Sequence, residues 1–128
     1  FAGLPTPLRG TALVVDDEDA VRIVAATVLE TNGAQIFTAA NGEEALEILR
    51  THGARISVVL LDLTMPGIGG EETLRRMRAA QANQPVVLMS GYSEAETMQR
   101  CAPFGTVRFI QKPFEVGTLL AAARPFLS

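Results

Sequence analysis

The feature that most limits how this chain can fold is the apolar run at residues 58–61, which leads directly into Asp62 and a loop containing Pro66 and Gly67. A short apolar run bounded by turn residues is typical of a strand buried on both faces, as in a parallel sheet. The run therefore predicts a central strand with the Asp62 carboxylate at its exit. Such a strand requires parallel neighbours and helices that cover both faces of the sheet.

Four other segments resemble this run, and helical patterns separate all five. The predicted strands are residues 11–15, 35–38, 57–61, 85–89 and 106–110. The predicted helices are residues 19–32, 42–52, 71–80, 94–101 and 116–127. Regular alternation of this kind predicts an α/β domain of three layers, in which a doubly wound, five-stranded parallel sheet lies between helices with right-handed crossovers.

Local signals mark several helix ends and faces. Asn41 with Glu44, and Ser93 with Glu96, have the spacing of a capping box and predict the starts of the second and fourth helices. In the first helix the apolar residues are expected to lie mostly on one helical face, and they are Val21, Ile23, Val24, Val28 and Leu29. The last helix is expected to continue to Leu127.

Composition limits the class of protein. The 128 residues are 48% apolar and 20% charged, which predicts one globular domain. We assign residues 11–128 to it and residues 1–10, with two prolines and two glycines, to a linker or tail excised from a longer protein. A net charge of −3 gives no electrostatic reason to expect binding to nucleic acid or membrane. The single cysteine, Cys101, is expected in the core, and it suits a reducing, cytoplasmic location.

Polar residues follow four of the five predicted strands. Asp16 and Asp17 follow the first, Asp62 the third, Ser90 the fourth and Lys112 the fifth. Parallel strands end at the same edge of the sheet, where open α/β sheets bind ligands. We therefore expect three carboxylates, a hydroxyl and an ammonium group to lie together.

This set of groups suits phosphoryl transfer. Three close carboxylates repel one another unless a cation is present, and oxygen ligands without histidine or cysteine favour Mg²⁺. Asp62 would retain an oxygen able to attack phosphorus, as aspartate nucleophiles do. Lys112 and the metal would neutralise phosphoryl charge, and Ser90 can donate a hydrogen bond to a phosphoryl oxygen.

Four motifs in order, at residues 14–18, 61–67, 89–92 and 112–114, resemble the receiver domain of two-component response regulators over residues 11–127. The resemblance implies a flavodoxin-like fold with strand order 2-1-3-4-5. It also implies a phosphoacceptor signalling domain, with Asp62 as the acceptor for a phosphoryl group from phosphohistidine. Asp17 would bind Mg²⁺ directly, Asp16 directly or through water, and Thr64 through its main-chain carbonyl, while Lys112 would hold the phosphoryl group.

The resemblance also implies a conformational switch. Ser90 would move toward phosphorylated Asp62, and the aromatic residue three positions before the lysine, here Phe109, would change rotamer with it. Phe109 has no hydroxyl group, so its coupling to Ser90 is expected to be weak. Thr64 and Tyr92 occupy positions that tune the lifetime of the phosphoryl group, and the peptide bond between Lys112 and Pro113 is commonly cis in the family.

Two alternatives to this function are weaker. An aspartate-nucleophile phosphatase needs an acid or base two residues after the nucleophile, where this chain has Thr64. A receiver used only for protein binding would not need the complete set of phosphorylation residues. The domain is therefore expected to catalyse its own phosphorylation and dephosphorylation and not to act as an enzyme on other substrates.

The only histidine, His52, lies far from the predicted site, so the phosphodonor must belong to another domain or chain. The expected partners are a histidine kinase core or a histidine phosphotransfer domain, and a dimer could form through the face around strand five. The sequence most resembles receivers at the C-terminal end of hybrid sensor histidine kinases. The alternative is a stand-alone or truncated response regulator.

Overall fold

Five strands form one parallel sheet in the computed structural model, which describes residues 6–105 and 108–128. The strands are β1 (Thr11–Val15), β2 (Gln35–Ala39), β3 (Val58–Asp62), β4 (Val86–Ser90) and β5 (Arg108–Gln111). They are arranged in the order β2-β1-β3-β4-β5, with every adjacent pair parallel. The predicted flavodoxin-like sheet and its strand order are confirmed.

Five α-helices connect and cover these strands. They are α1 (Asp19–Thr31), α2 (Gly42–His52), α3 (Gly69–Ala79), α4 (Glu94–Cys101) and α5 (Val116–Ala123). Short 3-10 helices at Gly53–Arg55, Ala102–Phe104 and Arg124–Phe126 follow α2, α4 and α5. Among the residues described, none of the helices is both long enough and apolar enough to cross a bilayer.

The sheet divides the apolar core into two halves. Side chains of successive strand residues point to opposite faces, so Val14 and Leu60 pack in one half while Leu13 and Leu61 pack in the other. Residues of α1 and α5 complete the first half, and residues of α2, α3 and α4, including the buried thiol of Cys101, complete the second. Because β1 and β3 are fully buried on both faces, the residues at their ends are held rigidly.

The predicted N-caps are confirmed at two helices, each through the bond from the capping side chain. The side chain of Asn41 accepts a hydrogen bond from the Glu44 amide at 2.8 Å, and the hydroxyl of Ser93 accepts one from the Glu96 amide at 3.2 Å. Each bond satisfies an amide of the first helical turn that has no partner within the helix. The sequence thus located the starts of α2 and α4 correctly.

The apolar face predicted for α1 is confirmed at Leu29, which is buried, and at Val28, which packs against the core, but not at Ile23 and Val24. Ala25 and Leu29 are its buried residues, whereas Ile23 is 60% and Val24 is 49% exposed. Ala25 is small enough to bring the helix close to the sheet, and the bulkier neighbours are left on the surface. The first helix therefore presents apolar side chains to solvent.

Two further expectations differ from the structure in detail. The α-helical part of the last helix ends at Ala123 rather than Leu127, and a 3-10 helix containing Pro125 follows. Proline has no amide hydrogen to continue an α-helical ladder, which explains the change. Within the predicted fifth strand, residues 106–107 lie outside the described part of the chain, as do residues 1–5 of the predicted tail.

Residues 6–10 lie against the domain at the edge of the sheet where the strands begin. Leu8 is buried in the core, and its amide donates to the Asn32 carbonyl at 2.7 Å. Gly33, with a φ of +116°, lets this segment approach, since a Cβ there would lie 2.6 Å from the Leu8 carbonyl oxygen. This short segment therefore contributes to the packing of the domain.

Candidate functional site

Three aspartates meet at the edge of the sheet where the strands end. Asp62 is the last residue of β3 and is 2% exposed, and Asp16 directly follows β1 and is fully buried. Each of these residues and Asp17 contributes a carboxylate oxygen to a group whose members lie within 4.8 Å of one another. The structure thus brings together the three carboxylates that the sequence singled out.

Lys112, one residue beyond the end of β5, reaches into this group. Its Nζ lies 2.7 Å from Asp16 Oδ2 and 3.4 Å from Asp62 Oδ1. It also lies 3.5 Å from Oε1 of Glu18, a contact that the sequence analysis did not anticipate. The peptide bond between Lys112 and Pro113 is cis, as the resemblance implied.

Negative charge exceeds positive charge in this site. Burial and, to a smaller extent, the neighbouring Asp16 carboxylate raise the pKa of Asp62 to about 7, against the opposing effects of Lys112 and the Thr64 amide. Burial works against the charged form of Lys112, but Asp16 and Asp62 outweigh it, so the pKa of Lys112 is raised above its ordinary value. One lysine therefore leaves part of the carboxylate charge uncompensated.

The residues fit a hard divalent cation. Asp16 Oδ2 is buried and accepts no hydrogen bond, although the Lys112 ammonium lies beside it. The other oxygen, Asp16 Oδ1, accepts a hydrogen bond from the Glu18 amide at 2.9 Å, which fixes the orientation of the carboxylate. An oriented carboxylate oxygen with the Lys112 ammonium beside it, together with two more carboxylates, belongs to the kind of donor set that Mg²⁺ binds in proteins.

The loop after β3 is pressed against the acceptor strand. The Thr64 amide donates to Asp62 Oδ1 at 3.3 Å and so holds one oxygen of that carboxylate. Gly70, in the first turn of α3, lies so close that a Cβ there would be 2.3 Å from the Asp62 carbonyl oxygen. The position of Asp62 is therefore fixed by the backbone on both sides of the loop.

Ser90 ends β4 and is completely buried. Its hydroxyl accepts a hydrogen bond from the Tyr92 amide at 2.9 Å, and its carbonyl accepts one from the Lys112 amide at 2.8 Å. Among the described residues it makes no hydrogen bond to Asp62. Ser90 therefore belongs to the edge that carries the site, but its hydroxyl is engaged within its own loop.

The two aromatic residues named by the sequence lie outside the carboxylate group. Phe109 is half-buried on β5 and packs against the core half that contains α4. Tyr92 is 47% exposed, and its ring lies 5.7 Å from the guanidinium carbon of Arg100. Neither ring contributes to the carboxylate site in this conformation.

A cleft of about 820 Å³ opens above the site. Its polar wall includes Asp17, Asp62, Thr64 and Lys112, and its apolar wall consists of one face of α1 and the segment after β5. The apolar lining residues are Ala20, Val21, Val24, Pro113 and Phe114. A partner entering this cleft would therefore contact exposed apolar surface and the carboxylates together.

The sequence did not predict the contacts that Glu18, Arg100 and Glu71 make in the folded domain. Glu18 was part of a recognised acidic run, and that run was the only signal for its contact with Lys112. Arg100 and Glu71, which pair at 2.8 Å beside Tyr92, had no sequence signal. His52 is exposed and stacks on Phe37 with ring centroids 4.8 Å apart, away from the carboxylates.

Comparison with known proteins agrees with this geometry. Residues 12–124 match the family model of the response regulator receiver domain. The chain is 36% identical over 115 residues to sporulation initiation phosphotransferase F of Bacillus subtilis, covering 90% of this chain and 91% of that protein. It is 35% identical over 127 residues to the sensor kinase CckA of Brucella abortus, covering 95% of this chain but 13% of the kinase.

Solved structures show the same fold. The chemotaxis protein CheY4 of Vibrio cholerae superposes with a TM-score of 0.85 and 28% identity, covering 93% of this chain and 99% of that one. CheY in a CheX–CheY–BeF3–Mg complex from Borrelia burgdorferi gives a TM-score of 0.85 at 28% identity, covering 94% and 92%. Together with the family match and the arrangement of carboxylates and lysine, these similarities show that the chain belongs to the response regulator receiver domain family of two-component systems.

Proposed function

We propose that Asp62 accepts a phosphoryl group from a phosphohistidine of a partner and that this modification switches the domain. The observation that carries the proposal is the position of Lys112 Nζ, within 3.4 Å of Asp62 and within 2.7 Å of Asp16. A lysine held between the acceptor and a second carboxylate can move to a phosphoryl oxygen without crossing solvent. Asp17 and Asp16 would hold Mg²⁺ together with Asp62 and the Thr64 carbonyl.

The transfer step balances when the donor phosphohistidine carries a proton on its other ring nitrogen, so that the imidazole leaves as a neutral group. An oxygen of ionised Asp62 forms a bond to phosphorus while the phosphorus–nitrogen bond to the donor imidazole breaks, and the imidazole keeps the electron pair. Bound Mg²⁺ supplies the neutralising charge for the phosphoryl oxygens. Lys112 compensates another part of that charge. The Ser90 hydroxyl accepts from the Tyr92 amide and can donate its own hydrogen to a phosphoryl oxygen once this loop has moved. Hydrolysis later releases inorganic phosphate, at a rate that Thr64 and Tyr92 would influence.

The donor is proposed to dock on the apolar wall of the cleft. Val21, Val24 and Phe114 line this wall beside Asp62, and Ile23 adds exposed apolar surface on the same helix. A histidine kinase core or a phosphotransfer domain could cover these side chains while presenting its phosphohistidine to the site. Removing apolar surface from water would help to hold the partner.

The output is proposed to appear on the face around β5. Movement of Ser90 would allow Phe109 to change rotamer, with weak coupling because its ring has no hydroxyl group. Val116, which is 49% exposed, adds apolar surface on α5. A phosphorylation-dependent dimer through this face would be detected by sedimentation of the domain with and without beryllofluoride.

The parent is proposed to be a hybrid sensor histidine kinase with its receiver in the cytosol. The similarity to the sensor kinase CckA over 95% of this chain supports this origin. A stand-alone regulator is the alternative, since sporulation initiation phosphotransferase F is matched over 91% of its own length. The coding sequence upstream of Phe1 would distinguish the two. In either case residues 11–128 would form the receiver domain, preceded by a linker or tail.

The central test is incubation with phosphoramidate or acetyl phosphate and Mg²⁺, followed by intact-mass analysis. We expect one phosphoryl adduct, which disappears in Asp62→Asn and when the metal is chelated. Asp19→Asn is the matched control, because Asp19 lies on α1 with an 81% exposed side chain and is not one of the clustered carboxylates. An adduct that persists in Asp62→Asn would contradict the proposal.

A further inference from the structure

Three exposed side chains form a bracket beside the site, defined here as Tyr92, Arg100 and Glu71. The guanidinium carbon of Arg100, near the end of α4, lies 5.7 Å from the centroid of the Tyr92 ring, and its Nε donates to Glu71 Oε1 at 2.8 Å. We propose that Arg100 and Glu71 are positioning residues for the phosphoacceptor reaction, because they hold the Tyr92 loop in its unphosphorylated arrangement. This inference rests on the proposed function of Asp62.

One end of the bracket is tied to the Ser90 hydroxyl. Tyr92 lies two residues beyond Ser90, and its amide donates to Ser90 Oγ at 2.9 Å. The opposite side of the loop is held by Gln111, whose Nε2 donates to the Gly91 carbonyl at 3.0 Å. Ser90 therefore cannot move far unless the backbone of Tyr92 moves with it.

The other end is tied to the acceptor strand. Glu71 lies in the first turn of α3, next to Gly70, whose amide donates to the Leu63 carbonyl at 3.1 Å. The close approach of Gly70 to the Asp62 carbonyl leaves this turn little freedom to shift. Glu71 is thus a fixed anchor, and Arg100 connects it to the loop that must move.

The contacts of Ser90 indicate whether the bracket favours the unphosphorylated or the phosphorylated arrangement of the loop. In the present arrangement its hydroxyl makes no hydrogen bond to Asp62 within the described residues, so it must be displaced to reach a phosphoryl oxygen. That displacement carries Tyr92 away from Arg100 and loses the cation–π contact. The bracket therefore favours the unphosphorylated arrangement, and loosening it should favour the phosphorylated one.

The test uses Tyr92 as its own reporter, because the chain has one tyrosine and no tryptophan. Arg100→Gln should make the tyrosine fluorescence more accessible to quenching by acrylamide. It should also lower the beryllofluoride concentration that half-saturates the Mg²⁺-loaded domain by about threefold, the size expected for an exposed cation–π or ion-pair contact. Glu71→Gln should shift it in the same direction, and the double variant should equal Arg100→Gln alone.

Two controls separate positioning from general surface effects. Arg50→Gln removes an arginine from another exposed ion pair, with Glu47 on α2, and should change neither measurement. Arg100→Lys keeps the cation and should restore part of the wild-type behaviour. If Arg100→Gln and Arg50→Gln give the same quenching and the same half-saturation, or if the Arg100 and Glu71 effects add, the bracket has no positioning role.

Failure of the underlying function gives a different result. If the wild-type domain binds no beryllofluoride with Mg²⁺ and forms no phosphoryl adduct, both the function and the bracket are overturned. If the wild type responds and Asp62→Asn does not, the function stands. The variants at Arg100 and Glu71 then test only the positioning role of the bracket, independently of the phosphoacceptor function.

Discussion

At the carboxyl edge of the sheet, two buried carboxylates share a site with the exposed carboxylate of Asp17 and with one lysine. At the amino edge, polar groups mostly meet as paired backbone amides and carbonyls. Asp16 is fully buried and Asp62 is 2% exposed, and one Asp16 oxygen accepts no hydrogen bond. At the amino edge, the Gln35 amide donates to the Gly10 carbonyl at 2.9 Å, and the Ser57 amide donates to the Thr11 carbonyl at 2.8 Å. The two edges therefore differ in how completely the chain satisfies its own polar groups.

Side chains reinforce the amino edge. Arg78, near the end of α3, donates to the carbonyls of Phe104, Ala82 and Gln84 at 2.7 to 3.0 Å. The Gln84 amide nitrogen donates to the Gly53 carbonyl at 3.0 Å, although its own side-chain oxygen is buried without a partner. Buried polar groups add stability when paired and cost stability when left unpaired. We infer that the amino edge stabilises the domain, while the carboxyl edge keeps charge that only a bound cation and phosphoryl group complete.

The largest predicted effect is a loss of stability, and it tests whether the amino edge stabilises the domain. Leu8→Ala should lower the free energy of unfolding by about 3 kcal/mol, since Leu8 is 2% exposed and its loss leaves a cavity. Urea unfolding measures this change, and the beryllofluoride affinity of the folded fraction should stay at the wild-type value. Val116→Ala, at a 49% exposed residue, is the control and should change stability little. A loss of beryllofluoride affinity in Leu8→Ala would show that the edges are not independent.

The second prediction compares two helical glycines. Gly70→Ala should lower stability by about 2 kcal/mol and weaken beryllofluoride binding, because the new Cβ would lie 2.3 Å from the backbone oxygen of Asp62. A Cβ at Gly117 on α5 meets nothing within 4 Å, so Gly117→Ala should stabilise by up to about 1 kcal/mol. Urea unfolding and a beryllofluoride titration measure both variants. Equal binding by the two variants would show that Gly70 does not position Asp62.

The third prediction concerns charge at the carboxyl edge. The pKa of Asp62 is raised to about 7 by burial and by Asp16, from an ordinary value of 3.8, so the unfolded chain ionises first. Stability from the protonated form is complete below the unfolded pKa and is lost as the pH rises through 7. The full rise of the pKa from 3.8 to about 7 corresponds to roughly 4 kcal/mol, and solvent in the cleft that Asp62 lines reduces this effect. Metal-free Asp62→Asn should therefore be more stable than wild type by about 1.5 kcal/mol above pH 7, with the gain vanishing near pH 4.

Unfolding by urea across this pH range, without divalent cations, measures the gain. Asp19→Asn is the control, because the Asp19 side chain is 81% exposed and does not belong to the carboxylate group. Added Mg²⁺ should stabilise the wild type and reduce its difference from Asp62→Asn, since the cation compensates the carboxylates. If the advantage of Asp62→Asn were constant with pH, it would not come from ionisation of the carboxylate.

Features with a strong local pattern were predictable from sequence. The apolar runs of β1 and β3 reveal strands buried on both faces, and the common edge of a parallel sheet then places Asp16, Asp62 and Lys112 together. This step needs no side-chain coordinates, because topology alone decides which strand ends meet. The caps at Asn41 and Ser93 were also readable, because they depend on spacing within four residues.

Features that depend on tertiary contacts were not predictable in this way. Ile23 and Val24 on α1 are apolar but exposed. The periodicity of apolar residues could not predict this exposure, because it does not distinguish a face in the core from an apolar face on the surface. Leu8 lies in a segment rich in proline and glycine that gives no periodic signal. The bracket through Arg100 joins residues 29 positions apart, and nothing in the local sequence of Glu71 indicates that approach.

The smallest predicted effect concerns the N-terminal caps of two helices, α4 and α2. Ser93 caps the eight-residue α4 at the carboxyl edge, and Asn41 caps the 11-residue α2. Removing either cap by substitution with alanine should cost about 1 kcal/mol. In α4, Thr97 and Cys101 are buried and the other six residues are at least partly exposed to solvent, so we expect α4 to open without unfolding the sheet.

Ser93→Ala should therefore reduce the hydrogen-exchange protection of α4 amides by about fivefold and leave the urea midpoint nearly unchanged. Asn41→Ala should instead lower the midpoint, because α2 packs on the sheet and on α3 through Ala45 and Leu49. Hydrogen exchange resolved to single amides, together with urea unfolding of both variants, measures the two outcomes. Equal shifts of the midpoint, without faster exchange in α4, would mean that α4 unfolds only with the whole domain and cannot respond to Ser90 separately.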